Sequence, residues 1–219
     1  MMQLDFKKIH EEYNKIIPIT GIIHIGACTG EERDIYLDCG VPRVEWFEAN
    51  PETFSLLKEN ISQEKYKGHA AHQFLLADTD DEEVTFFITS NFRSASSSML
   101  PLGKHKEHYP KITVQNELRL KTKKFETYAK QAGFNFDQIN FLNMDVQGAE
   151  LKVLKGFGDL LNHFDYVYSE VNTAHLYEGC VLLDELDQYL SDFGFIRREI
   201  HMTPFEWGDA LYVRKTVLT

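Results

Sequence analysis

The residues of this chain best suited to chemistry are carboxylates and small residues placed where apolar runs end. The first run, Ile22-Ile23-His24-Ile25, passes straight into Gly26-Ala27-Cys28-Thr29-Gly30. Small residues at 26, 27 and 30 let backbone approach a ligand, and a helix beginning at Glu31 offers free N–H groups to it. Gly26, Ala27, Thr29 and Gly30 are therefore candidate cofactor contacts. A second run, Val44-Glu45-Trp46-Phe47, ends in Glu48, eighteen residues after Gly30. A carboxylate there can accept both hydroxyls of a ribose. A third run closes on Asp78, which could accept from the exocyclic amine of an adenine. Farther on, Asp145 follows Ile139-Asn140-Phe141-Leu142-Asn143-Met144, and Glu170 and His175 flank the end of Phe164 to Val171. Asp145, Glu170 and His175 are the candidates to take a proton from a substrate hydroxyl. His175, alone in a loop, also reads as a solvated side chain.

Two features decide which ligand suits the turn. The spacing is Gly26-x-x-x-Gly30, without the second glycine of the Gly-x-Gly-x-x-Gly pattern that admits a dinucleotide pyrophosphate. Glu31 and Glu32 then open the helix, and they repel a pyrophosphate but attract a cation. S-adenosylmethionine, with its sulfonium and ammonium, fits better than NAD. An NAD-dependent oxidoreductase and a non-catalytic cofactor-binding module are the alternatives.

The elements that must position these residues follow from periodicity. Leu4 to Ile17 has apolar or aromatic residues at 6, 9, 13, 16 and 17, which predicts a helix within an N-terminal segment, 1–20, packing on the sheet. The remainder, 21–219, reads as a single domain. Strand 22–26, helix 31–40, strand 43–48, helix 52–62 and strand 72–77 make two crossovers, the mark of a parallel α/β sheet. Glu83 to Thr89 reads as a further strand at the sheet edge. The Ser-rich stretch 90–103 is a functional loop or a mobile linker. Phe125 to Ala132 reads as a helix, and 139–144 as a strand. A helix follows over 149–156, stopped by Gly156. Next come a strand over 164–171, a helix over 181–193, and a closing antiparallel pair, 195–200 and 209–214.

The totals exclude several classes. The net charge of −11 argues against gripping a nucleic-acid backbone. Cys28, Cys39 and Cys180 have neither disulfide-framework nor metal-ligand spacing. No metal is expected. The charged first residues and the lack of a long apolar run predict a cytoplasmic protein with no membrane contact. A homodimer is left open.

Several segments together resemble the FkbM family of S-adenosylmethionine-dependent methyltransferases. They are Gly26-Ala27-Cys28-Thr29-Gly30, Phe47-Glu48-Ala49-Asn50-Pro51, Ser98-Met99-Leu100, and Met144-Asp145-Val146-Gln147-Gly148-Ala149-Glu150-Leu151 followed by Val153-Leu154-Lys155-Gly156. The resemblance runs from about Gly21 to the last strand. It implies a Rossmann-like class I methyltransferase fold, with a mostly parallel seven-stranded sheet, an antiparallel last strand and helices on both faces. It also implies methyl transfer to oxygen, with a small molecule or a glycan such as a sugar as acceptor. By position, Gly26, Ala27, Gly30 and Glu48 would hold the cofactor, Asp78 would lie near adenine, and Asp145 near the methyl group. His24 stands where an acidic residue commonly meets the cofactor's ammonium, so Glu31 or Asp145 would have to replace it.

Overall fold

The four residues Ile22–Ile25 form β1, and all four are buried. An all-buried strand needs neighbours on both edges and cover on both faces, which is what a parallel strand at a sheet centre receives. In the computed structural model, which describes residues 2–217, β2 (Val44–Glu48) and β7 (Phe141–Met144) flank β1 in parallel. Ile22 lies between Val44 and Phe141, and Ile25 between Phe47 and Met144. The expected 21–219 domain runs two residues beyond the described ones. The remaining strands are β3 (His69–Gln73), β4 (Leu75–Leu76), β5 (Glu83–Thr89), β6 (Val114–Lys123), β8 (Tyr166–Asn172), β9 (Phe195–Met202) and β10 (Trp207–Arg214).

The main sheet has seven strands in the order β3-β2-β1-β7-β8-β10-β9. β10 runs antiparallel to both β8 and β9, so the antiparallel last strand sits inside the sheet and β9 takes the edge. Alternating side chains feed two cores. Ile22, Val44, Trp46 and Phe141 face α1 (Phe6–Tyr13), α2 (Arg33–Asp38) and α3 (Pro51–Asn60). Ile23, Ile25, Phe47, Leu142 and Met144 face α5 (Phe125–Ala132), α6 (Glu150–Phe157) and α7 (Leu183–Asp192). Phe6, Ile9 and Tyr13 are the buried stripe of α1, and Asp5 caps its first turn by accepting from the Lys7 N–H. The short α4 spans His105–His108.

The structure corrects three expectations. The strand expected over 72–77 is two: β3 pairs with β2, then the chain turns away and Leu75 and Leu76 pair with β6. The apolar run that suggested one strand serves a second sheet, whereas the edge strand β3 is half-buried and polar. The segment 83–89 does not join the main sheet. It pairs with β6 in a three-stranded sheet, β4-β6-β5. β6 was hidden because most of its residues are exposed, and only alternate ones such as Leu118, Leu120 and Thr122 turn inward. Gly156 does not stop its helix. A Cβ there would lie 2.1 Å from the Ala77 carbonyl oxygen, so its bareness admits a close backbone crossing, and Gly158 at φ +52° ends α6.

Candidate active site

The carboxyl ends of β1, β2, β7 and β8 meet at one edge of the sheet, the usual ligand crevice of such folds. There Gly26 adopts φ +76°, and a Cβ on it would fall 1.8 Å from the carbonyl oxygen of Asp145. The Asp145 N–H in turn donates to the Ile25 carbonyl at 3.0 Å. The first turn and the end of β7 are thus in backbone contact, and only glycine fits at 26. Two cavities open on either side of this seam, and Gly26, Cys28, Arg93, Ala95, Asp145 and Gln147 border both.

The narrow cavity, about 60 Å³, has apolar walls from Phe47, Leu76, Phe86 and Met99. Its acidic groups are Asp145, at the seam, and Glu48. One Glu48 oxygen accepts from the Cys28 N–H and the other from the Asn50 N–H, each at 2.7 Å. Burial pushes its carboxyl up to about 7 despite those two donors. Asn50 also accepts from the Glu52 N–H and starts α3, which fixes the strand-to-helix turn beside Glu48. The small second sheet roofs this cavity through Leu75 and Phe86, with Met99 of the Ser-rich loop packed against them.

The wide cavity, about 530 Å³, is lined by His24, Glu31, Glu32 and Ala27 on the side of the first turn. His24 is committed to the core. Its Nδ1 lies 3.1 Å from the Tyr36 hydroxyl, its ring stacks on Trp46 at 5.0 Å, and burial drops its pKa to about 3. Negative charge comes instead from α2's approach. Burial would raise Glu31, but hydrogen bonds from Arg93 and Thr29 outweigh it and hold the carboxyl below its ordinary value. Burial raises Glu32 to about 7. The Arg93 guanidinium sits 2.6 Å from Glu31 and 2.8 Å from the Thr29 hydroxyl, which latches the Ser-rich loop onto the first turn. Arg93 and Ser94 both hold positive φ, +55° and +53°, unusual for residues other than glycine. Cys28 is no nucleophile, since burial and then Glu31 and Glu48 push its thiol up to about 12.

At the floor lie two carboxyls held by one amide, half-buried Asp145 and buried Glu170. Gln147 donates through Nε2 to Asp145 and, at 2.6 Å, to Glu170, while its Oε1 accepts from the Tyr177 hydroxyl. The Gln147 carbonyl accepts from Ser98 at 2.8 Å. Burial, then the nearby charges of Asp145 and Glu150, push the Glu170 carboxyl up. Glu150 lies behind the floor. Its Oε1 accepts from the Gly148 and Val146 N–H groups and fixes the turn that presents Gln147.

Of the residues expected from the sequence, Gly26, Ala27, Glu48, Asp145 and Glu170 border a cavity. Thr29 and Gly30 support the turn from below, and a Cβ on Gly30 would press Leu57 at 2.8 Å. Two expected residues are not brought to the site. The Asp78 carboxylate faces Lys152 at 3.7 Å and borders neither cavity, because the chain leaves the main sheet before reaching it. His175 is exposed, with Nδ1 3.2 Å from the Cys180 carbonyl. Sequence reasoning missed Arg93, Gln147, His105, Tyr109, Tyr177 and Trp207, whereas Glu31 and Glu32, read there as attracting a cation, do line the wide cavity. Gln147 lay inside the motif from Met144 to Leu151 and Arg93 in the Ser-rich stretch, while His105, Tyr109, Tyr177 and Trp207 sit on segments, α4 and β10 among them, whose spacing says nothing of where they meet. Among the described residues, no group of three or more His, Cys, Asp and Glu side chains is placed to hold a metal ion, and no helix is long and apolar enough to cross a membrane.

Residues 24–197 match the family described as the methyltransferase FkbM domain. Over 101 residues the chain is 27% identical to the 2-O-methyltransferase NoeI of Sinorhizobium fredii (strain NBRC 101917 / NGR234), covering 46% of this chain and 41% of that protein. The crystal structure of methyltransferase FkbM from Methylobacillus flagellatus KT superposes with a TM-score of 0.55 at 15% identity, over 88% of this chain and 43% of that one. Fibrillarin of Aeropyrum pernix, solved with natively bound S-adenosyl-L-methionine, superposes with a TM-score of 0.50 at 12% identity, over 94% of this chain and 74% of that one. At such identities the structural likeness is one of fold. The chain spans less than half the length of NoeI and of the Methylobacillus protein.

Proposed function

The chain belongs to the methyltransferase FkbM family, and on that premise we propose that it moves a methyl group from S-adenosylmethionine to a hydroxyl of a small molecule or glycan, most simply a sugar. The observation that carries this is the pair of cavities meeting at Gly26, one apolar with a buried carboxylate, the other acidic. Adenosine is an apolar ring with two vicinal hydroxyl donors. The methionine end carries an ammonium beside the sulfonium. The donor set suits both ends. Glu48 has lone pairs left for a ribose, Phe47, Leu76 and Met99 can sandwich a purine, and Glu31 and Glu32 stand where a cation would enter. A dinucleotide pyrophosphate would meet the same two glutamates and be repelled. Net charge of −11 likewise disfavours a nucleic-acid acceptor.

When bound, the cofactor supplies an electrophilic methyl on a sulfur that is already a good leaving group. The protein's work is then to orient and to exclude water. Gln147 keeps Asp145 at the boundary of the two cavities, where its carboxylate can accept from an acceptor hydroxyl and aim the oxygen. The loop at 91–97 and the segment 105–112 close the wide cavity opposite that floor.

Calorimetric titration with S-adenosylmethionine should show micromolar binding, and NADH should show none. Methyl-labelled cofactor incubated with a glycan and metabolite extract should yield a labelled product whose methylated oxygen mass spectrometry can locate. No binding of S-adenosylmethionine would sink the proposal. Binding without any transfer would leave a cofactor-binding module in its place.

A further inference from the structure

Resting on the proposed methyl transfer to a hydroxyl, we infer that His105, on the short helix α4, is the base that takes the acceptor's proton. Several other titratable groups around the wide cavity are committed. His24 is tied to Tyr36 and stacked on Trp46. Glu31 is paired with Arg93. Asp145 and Glu170 share the Gln147 amide. The Tyr177 hydroxyl donates to Gln147, and the Tyr109 hydroxyl accepts from Trp207 Nε1 at 2.8 Å. Glu32 stands beside Glu31 at the start of α2, on the cofactor's side of the seam.

His105 borders the same cavity and is only 4% exposed, yet its Nδ1 has no hydrogen-bond partner. A buried imidazole nitrogen left unpaired costs stability, and such orphans in native sites call for a ligand or a catalytic reason. Its place is built, not accidental. The His105 N–H donates to the Leu176 carbonyl at 3.1 Å and the Lys104 N–H to that of His175 at 3.0 Å, which fastens α4 to the loop carrying Tyr177. The His105 ring lies 5.6 Å from the Tyr177 ring and 4.9 Å from that of Tyr109. Tyr177 then leads through Gln147 to Asp145, and both base and positioner border the wide cavity. Burial, and then His108, lower the His105 pKa, which keeps the ring neutral and able to accept at neutral pH. The charged and titratable neighbours are His108 and Tyr109 on its own segment, Tyr177 from the facing loop, and Lys104 with Glu206, which binds His108 at 2.8 Å.

The step balances without a further reactant. As the acceptor oxygen bonds the methyl carbon, the carbon–sulfur bond breaks with its electron pair left on sulfur, and the O–H proton passes to His105.

Long-range proton–nitrogen NMR of the imidazole rings tests the contact in the absence of cofactor. The His105 signals are assigned by their loss in His105→Gln, and the probes are the methyl α-pyranosides of glucose, mannose, galactose and rhamnose. At least one should shift the His105 signals. If none does, the inference is overturned. With labelled cofactor and the glycan extract, His105→Gln and His105→Asn should each lower the transfer rate by about 100-fold or more. Their cofactor Kd should stay within about twofold of wild type, and the acidic limb of the pH–rate profile should vanish. A variant that keeps rate and limb refutes the role. Failure of the wild type to bind the cofactor would instead fail the proposed function.

Discussion

Replacing Glu48 by Gln separates cofactor binding from every other property of the site. In the free protein, burial holds Glu48 at about 7 against an ordinary 4.5. A ribose donating two hydroxyls favours the ionised form, so binding should expel the proton. If the bound carboxyl returns to its ordinary value, affinity should rise about tenfold from pH 6 to pH 8 and level off above pH 7. Proton release should be about 0.9 at pH 6 and about 0.5 at pH 7. Calorimetry in buffers of different ionisation enthalpy measures that release directly. The cofactor's own amino group and Glu32 titrate in the same range, so the quantity to read is wild type minus variant. Glu48→Gln should remove its share of the pH slope and weaken binding at pH 8 by about tenfold or more, the worth of one charge-assisted bond. For folding the sign is opposite. A carboxyl raised in the native state favours folding at low pH, and that contribution is lost as pH rises from about 4.5 to about 7, at most about 3 kcal/mol. The variant's unliganded stability should therefore fall less than the wild type's across that window. A variant with unchanged Kd and unchanged proton release would remove Glu48 from the ribose site.

Two further expectations use the turn and its latch. Gly26→Ala and Gly40→Ala both place alanine at strongly positive φ, but the new Cβ meets the Asp145 carbonyl at 1.8 Å in one case and nothing within 4 Å in the other. Gly40→Ala should cost about 1 kcal/mol and Gly26→Ala about 2–4 kcal/mol, read as Tm; equal losses would show that the turn can open away from β7. Arg93→Ala removes an ion pair whose side chains are 37% and 30% exposed, so stability should change by less than about 1 kcal/mol. Hydrogen exchange of the amides at 91–97 should nevertheless quicken, and unchanged protection there would mean that Arg93 does not hold the loop.

The alternating parallel strands were legible in the sequence because their signal is local. Ile22 to Ile25 and Phe141 to Met144 are apolar runs closed by small or acidic residues, and burial on both faces demands such runs. Glu48 and Asp145 were legible for the same reason, since a strand's end fixes where its next residue points. β6 was not, because its outward face is polar and its partner β5 lies beyond a long loop. Asp78 was misplaced by that same error, as the strand expected to deliver it was two strands in two sheets. Gln147 and His105 are legible only in three dimensions. Each acts across segments distant in the chain, Gln147 toward Glu170 and Tyr177, His105 toward Leu176, and no periodicity encodes such partners.

The placement of β10 between β8 and β9 has a consequence for how the molecule comes into being on the ribosome. β10 is synthesised after both strands it joins, and it forms ladders with each along nearly its whole length. Until it arrives, β9 has no partner in the main sheet and β8 offers a bare edge of seven buried residues. Asp209 on β10 also accepts from the Tyr168 hydroxyl and from the backbone N–H of Gln3, so this strand is tied to a residue made long before it. Closure of the sheet is therefore a late, long-range event, of the slow kind that leaves strand edges open to association. A nascent chain halted before Trp207 should need a chaperone to stay unaggregated, while one completed through Arg214 can seal its own sheet.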